Sequence, residues 1–151
     1  MGIILRNVTE GNFSDVIALS ADKPHPNGRL PLIFEKYTAS NVYYIALASL
    51  KLWVNRVIYF EECPVGFAVH GFYKHMVPEL IHLMIHSSFQ NKGYGKAALP
   101  LLLAEMADLY GADYIHAAVK AENERGKKFL QNAGFQAEKE PGTYSLFLQK
   151  K

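Results

Sequence analysis

The chain has 151 residues, half of them hydrophobic and a fifth charged, with a formal net charge of +2. This is enough chain for one domain with a sizeable core. It excludes two ordinary domains, a highly charged disordered segment and the basic surface of a nucleic-acid binder.

Cys63 is the only cysteine, so no internal disulfide can form, and no apolar run approaches the ~20 residues that cross a bilayer. A soluble cytoplasmic protein with neither membrane nor nucleic-acid partners is therefore expected. Gly2–Arg6 reads as a first strand, and Thr9 as the cap of a helix reaching about Ser20, with Phe13, Val16, Ile17 and Ser20 on one face. Three prolines and Gly28 make Ala21–Pro31 irregular, either a loop over a substrate pocket or a plain connection. Leu32–Trp53 is helical in pattern, interrupted near Ala39–Asn41, where Ser40 or Asn41 suits a second cap. Its aromatics, Tyr37, Tyr43, Tyr44 and Trp53, suit either a pocket or core packing. The Tyr43–Trp53 stretch faces either the sheet or a second copy of the chain, which leaves a homodimer open.

Val57–Phe60 and Val65–Phe72 read as a hairpin about Glu61–Pro64, followed by the apolar strand Leu80–His86. Next come a polar glycine loop, Ser87–Lys96, and a helix over Gly95–Tyr110 with Leu99, Leu102, Leu103 and Met106 on its apolar face. Pro100 predicts a kinked or delayed start to that helix, and Gly111 its C-cap. Ala112–Lys120 reads as a strand and Asn123–Asn132 as a short helix closed by Ala133-Gly134-Phe135. A turn at Glu140–Gly142 leads into the last strand, Thr143–Gln149.

The glycine loop carries the chemistry. Glycines between a strand and a helix let ligand oxygens approach the backbone, and the N–H groups of the helix's first turn point at them, which suits phosphate. A Walker loop is excluded, because Ala97 follows Lys96 where Ser or Thr is required. Gly93-x-Gly95-x-x-Ala98 with Asp113 has dinucleotide spacing, but six loop residues precede Gly93 and Asp113 opens the next strand instead of ending it.

Gln90-x-x-Gly93-x-Gly95, set between that strand and that helix, resembles the pyrophosphate loop of the GNAT acyl-CoA-dependent N-acetyltransferases. The resemblance covers about residues 79–136. It implies a single α/β domain over residues 1–151, with a mixed central sheet of about six to seven strands flanked by about four helices. Acetyl-CoA is the implied donor and no metal is implied; four residues of strand, ~13 Å, part His82 from His86.

By that resemblance, backbone N–H groups of Asn91, Lys92, Gly93, Tyr94, Gly95 and Lys96 beside Gln90 take the pyrophosphate. Lys92 or Lys96 adds charge, and Lys127 is grouped with them. Asn123 contacts the pantetheine arm or simply caps its helix, and an N–H near Met84 and Ile85 polarises the thioester carbonyl. Deprotonating an alkylamine of pKa ~10.4 costs about 4.6 kcal/mol at pH 7, so a base is useful. Glu79, eleven residues before Gln90, stands where histone-type members carry a catalytic glutamate, although it also reads as a surface residue after Pro78. His82 competes for the role, and strict alternation sets the two on opposite faces of the strand. Leu130 occupies the position where many members place a tyrosine that protonates the leaving thiolate; Tyr94 and Tyr144 are the substitutes considered.

The implied activity is acetyl transfer to a primary amine of a small molecule by direct attack in a ternary complex. Pro64–Gly71 resembles the corresponding strand of diamine and polyamine acetyltransferases, and Glu35, Glu61, Glu62 and Glu79 are the carboxylates at hand for a polyamine. A non-catalytic acyl-CoA-binding or regulatory module, motivated by Leu130, and transfer to a protein or peptide amine are the alternatives.

Overall fold

The computed structural model describes residues 2–20, 41–73 and 76–148. The expected irregular segment, with Glu35, Tyr37 and Ser40, therefore lies outside the described residues. The elements are β1 (Ile3–Arg6), α1 (Phe13–Ala18), α2 (Asn41–Lys51), β2 (Val54–Phe60), β3 (Cys63–Phe72), β4 (Pro78–Ile85), α3 (Tyr94–Tyr110), β5 (Tyr114–Ala118), α4 (Glu124–Asn132), β6 (Gln136–Ala137) and β7 (Thr143–Phe147). They form one seven-stranded mixed sheet in the order β1-β2-β3-β4-β5-β7-β6, with β4 and β5 parallel and every other pair antiparallel.

Each face of the sheet buries its own apolar set. On one, Ala68, Leu80, Ile115, Ala117 and Tyr144 pack with Leu99, Leu102 and Met106 of α3 and Leu130 of α4. On the other, Val57, Phe67, Val69 and Met84 pack with Val16 of α1 and Ala48 of α2. Burying each large apolar side chain is worth roughly 1.5–3 kcal/mol, so the two helical layers hold the sheet between them.

α1 is shorter than the sequence suggests. Thr9 and Asn12 bond reciprocally, Thr9 N–H to Asn12 Oδ1 at 2.8 Å and Asn12 N–H to Thr9 Oγ1 at 3.3 Å, so the turn before the helix absorbs the capping groups. The N-cap is Asn12, Val16 is buried, and Phe13 and Ile17 are exposed. In α2 the apolar stretch divides: Ala48 faces the sheet while Leu50 stands outside, as does Leu52 just beyond the helix.

α3 starts earlier than expected and runs through Pro100. Ala97 N–H bonds Gly93 C=O at 3.0 Å, so a regular turn is in place before the proline, and Gly111 closes the helix with φ 58°. At its far end a half-buried polar chain, with His70 fully buried at its centre, ties it to the sheet. His70 Nε2 donates to Glu105 Oε2 at 2.6 Å, Tyr110 Oη donates to His70 Nδ1 at 2.7 Å, and Arg56 Nε donates to Glu105 Oε1 at 2.7 Å. The bonds from His70 and Arg56 outweigh the cost of burial and hold the Glu105 carboxyl below its usual range. Burial and the nearby Glu105 push the Tyr110 phenol up to about 12, so it keeps its proton.

Two irregularities shape the middle of the sheet. Along β3 and β4, His70 pairs with Leu80 but Val69 pairs with His82, so Ile81 is an extra residue bulged out of β4. On the other side of β4, pairing with β5 covers Glu79 with His116 and Leu80 with Ala117. Beyond these pairs β4 continues to Ile85 while β5 ends at Ala118, and the strands part.

Candidate active site

The parted strands open a cleft of about 840 Å³, of the size that holds a small-molecule ligand. Its walls are Ile81–Ile85 of β4 and Ala117–Lys120 at the end of β5. One end reaches the glycine loop and α4, and the other reaches Glu79, Tyr44, Trp53 and Tyr73. Glu79 and Ile85 are six strand residues apart, ~20 Å along the cleft.

The loop end is built for an anion. Asn91 and Gly93 are left-handed, with φ 66° and 83°, and they turn the chain into α3. The N–H groups of Tyr94, Gly95 and Lys96 come before the first α-helical bond, so the helix leaves them without an internal partner. Gln90 Nε2 donates to Ile85 C=O at 2.9 Å, which pins the loop to the strand. Arg125 of α4 lines the cleft and braces the loop, donating to Gln90 Oε1 and Asn91 Oδ1, each at 2.8 Å. Lys96, Lys120 and Arg125 bring positive charge to this end. A left-handed glycine, a helix start and three cations fit a pyrophosphate group.

Of the residues named for the donor, Met84, Ile85, Gln90, Asn91, Gly93, Tyr94, Gly95, Lys96 and Asn123 line the cleft. Lys92 is exposed and not among them. Lys127 also lies outside the lining and pairs with Glu124 at 3.2 Å. Asn123 caps α4, its Oδ1 accepting from Gly126 N–H at 2.9 Å. Gly126 is glycine for a packing reason: a Cβ there would meet Asn123 Nδ2 and Val119 Cγ2, both at 2.7 Å.

At the opposite end Glu79 is inside β4 and buried, 7% exposed, where a surface residue had been the bland alternative. The bulge at Ile81 overturns the expectation that Glu79 and His82 face opposite ways. Glu79 pairs with Gly71 and His82 with Val69, and since residues 69 and 71 share a face of β3, so do their partners.

His82 is packed as a ring. It stacks on Tyr44 at 4.0 Å, and its Nε2 donates to Asn41 Oδ1 at 3.1 Å. Asn41 Nδ2 donates to Val16 C=O at 2.9 Å, which fixes the amide and leaves its oxygen to accept from His82. Burial pushes the His82 imidazole down to about 3, so it is neutral across the ordinary pH range.

Tyr144 is buried on the α3 side of the sheet and lies outside the cleft lining, whereas Tyr94 borders it and stacks on Phe60 at 4.8 Å. Leu130 is both core and cleft wall. Glu61 and Glu62 sit exposed in the β2–β3 turn, and Glu62 pairs with Arg6. His86 is structural in its contacts, Nδ1 accepting from Ser20 N–H at 2.9 Å. No group of three or more His, Cys, Asp or Glu placed to hold a metal occurs among the described residues, and no helix there is long and apolar enough to cross a membrane.

Sequence reasoning missed Arg125, Asn41 and Tyr73. For Arg125 a signal existed: a cation in the first turn of a helix works against the helix dipole, so its presence after Asn123 suggests a task elsewhere. A second concavity, about 650 Å³ and bordered by β1 and α1, contains Arg6, Asp15, Arg56 and Glu105, but Arg56 is paired with Glu105 and Arg6 with Glu62.

The sequence model described as the acetyltransferase (GNAT) family matches residues 19–135. Solved structures of the same shape include an acetyltransferase from Thermus thermophilus, 23% identical over 98% of both chains with a TM-score of 0.69. Another is yncA from Salmonella typhimurium with acetyl-CoA, 16% identical, covering 100% of this chain and 96% of that one, TM-score 0.68. A third is Naa50 of Arabidopsis thaliana with the bisubstrate analogue CoA-Ac-MVNAL, 16% identical over 98% and 100% of the chains, TM-score 0.65. No curated protein matches the sequence at a significant level.

Proposed function

The chain belongs to the GNAT family of acetyltransferases, and on that premise we propose that it moves the acetyl group of acetyl-CoA to a primary amine of a small molecule by direct attack within one ternary complex. The observation that carries this reading is the continuous cleft between β4 and β5, with an anion-binding loop at one end and the buried carboxyl of Glu79 at the other. A donor lying along β4 from the loop leaves its thioester between the two.

The chemistry then divides among this chain's residues. The loop N–H groups with Lys96 and Arg125 hold the pyrophosphate, and Asn123 borders the pantetheine arm. A backbone N–H near Met84 and Ile85 polarises the carbonyl as negative charge grows on its oxygen. Glu79 takes the proton from the ammonium form of the acceptor, directly or through water. The amine nitrogen attacks the carbonyl carbon and the C–N bond forms; the nitrogen then sheds its second proton to solvent in the cleft as the C–S bond breaks. The products are the amide and CoA, whose sulfur, with a thiol pKa of ~8.5, leaves as a thiolate and takes its proton from solvent in the cleft. Leu130 cannot supply that proton and Tyr144 does not line the cleft. His82 is not assigned as the base, because a group protonated only near pH 3 holds a proton too weakly.

Glu79→Gln tests the assignment. The expected result is a loss of about 10²–10⁴ in kcat, as for removal of a general base, with the acetyl-CoA-induced rise in Tm retained. Undiminished kcat in the variant would remove Glu79 from the mechanism.

A further inference from the structure

The acceptor end of the cleft is unlike the loop end. Its wall is a set of rings, Tyr44, Trp53, Tyr73 and His82, each held by another group. Trp53 Nε1 donates to Phe72 C=O at 2.9 Å, and its ring lies so close over Gly71 that a Cβ there would collide with Cδ1. Tyr73 meets Trp53 edge-on at 5.4 Å, and Tyr44 is clamped between His82 on one side and the edge contact with Tyr43, also 5.4 Å, on the other.

These contacts spend no ligand binding energy on ordering the rings, so a flat apolar group can enter a preformed slot. Formal charge at this end is confined to Glu79 among the described lining residues. His82 is neutral, the cations sit at the loop, and Glu140 belongs to the turn that meets Val119 past the end of β5. A diamine or polyamine needs a second anion for its remote ammonium; among the described residues Glu61 and Glu62 are in the β2–β3 turn outside the lining, while Glu35 lies outside the described residues. A primary amine joined to an aromatic ring by a short alkyl chain suits both features, a carboxyl and a set of rings lining the same end of the cleft.

We propose that the acceptor is an arylalkylamine, bound with its ring against Trp53, Tyr73 and Tyr44 and its amine at Glu79. This rests on the acyl-transfer reading above. The reaction is R–NH₃⁺ plus acetyl-CoA giving R–NH–CO–CH₃, CoA–SH and a proton, with Glu79 carrying the proton toward solvent, so no further reactant is needed.

The test compares 2-phenylethylamine, n-hexylamine, 1,4-diaminobutane and a short peptide with a free N-terminus, using wild type and Tyr73→Ala. Tyr73 is half exposed, so its truncation leaves the core intact. Phenylethylamine should exceed hexylamine and diaminobutane in kcat/KM by about tenfold, the worth of one good ring contact, and Tyr73→Ala should raise its KM by a similar factor without altering the KM of acetyl-CoA. Preference for the diamine or the peptide, or a phenylethylamine KM indifferent to Tyr73, would overturn the inference and leave acyl transfer standing. No turnover with any amine, while acetyl-CoA still raises Tm, would bring down both.

Discussion

Glu79 and His82 share one face of one strand. The histidine is buried without charge. Its folded pKa, about 3, lies below the ordinary 6.5, so the unfolded chain binds a proton that the folded chain refuses. The stabilising effect is therefore whole above pH ~6.5 and is lost as pH falls toward 3, amounting to about 3 kcal/mol by pH 4. Burial also lowers the pKa of His70, and the Glu105 carboxyl is held low by its partners, so all three groups weaken the fold on the acid side. Urea titrations from pH 8 to pH 4 should show stability falling with acid, and a His82→Leu variant should show a shallower fall below pH 6.5. An equal slope in the variant would mean that His82 is not the buried neutral group described. The expectation of opposite faces for these two residues followed strand alternation correctly; it failed because a one-residue bulge leaves no mark in composition. Ile81 looks like any other strand residue.

At the scale of elements, the loop was readable and its brace was not. Gly93 has a backbone reason to be glycine, since φ 83° strains any residue with a Cβ, and Gly93→Ala should cost ~1 kcal/mol at the loop and show as a raised KM for acetyl-CoA. Arg125→Ala should raise the same KM several-fold by releasing Gln90 and Asn91, with little change in kcat at saturation; an unchanged KM would make the brace ornamental. Asn123 and the helix behind it were legible because a cap residue and a helix-ending glycine are local signals, and α4 follows them closely. The earlier start of α3 was not, because a proline argues against a regular helix while the packing of Leu99, Leu102 and Met106 carries the helix through it. The polar chain at the other end of α3 makes its own prediction. Tyr110→Phe leaves His70 Nδ1 buried without its donor, and should destabilise the protein by about 1–3 kcal/mol in denaturant titration.

Across the whole molecule, function follows from one topological event, the parting of β4 and β5 after two residue pairs. The order β1 to β7 puts the parallel pair near the centre of the sheet, so the opening has helices on both faces, aromatic rings at one end and cations at the other. The strand and helix order of the second half was legible from the glycine loop outward. The ring-lined end was not, because its residues come from α2, the approach to β2, the position just after β3 and β4 and carry no shared motif. Binding of acetyl-CoA should stabilise the fold by ~2.7 kcal/mol at a hundred times its Kd, and a protein unmoved in Tm by acetyl-CoA would contradict the donor site outright.

Direct attack requires both substrates to occupy this cleft together, with the amine nitrogen against the thioester carbon. Initial rates of thiol release, measured with acetyl-CoA and the amine varied against each other, test it most directly. A ternary complex predicts double-reciprocal lines that intersect, with no thiol released when the amine is left out. Parallel lines, with a stoichiometric burst of thiol and an acetylated protein before any amine is added, would mean a covalent route in place of direct attack.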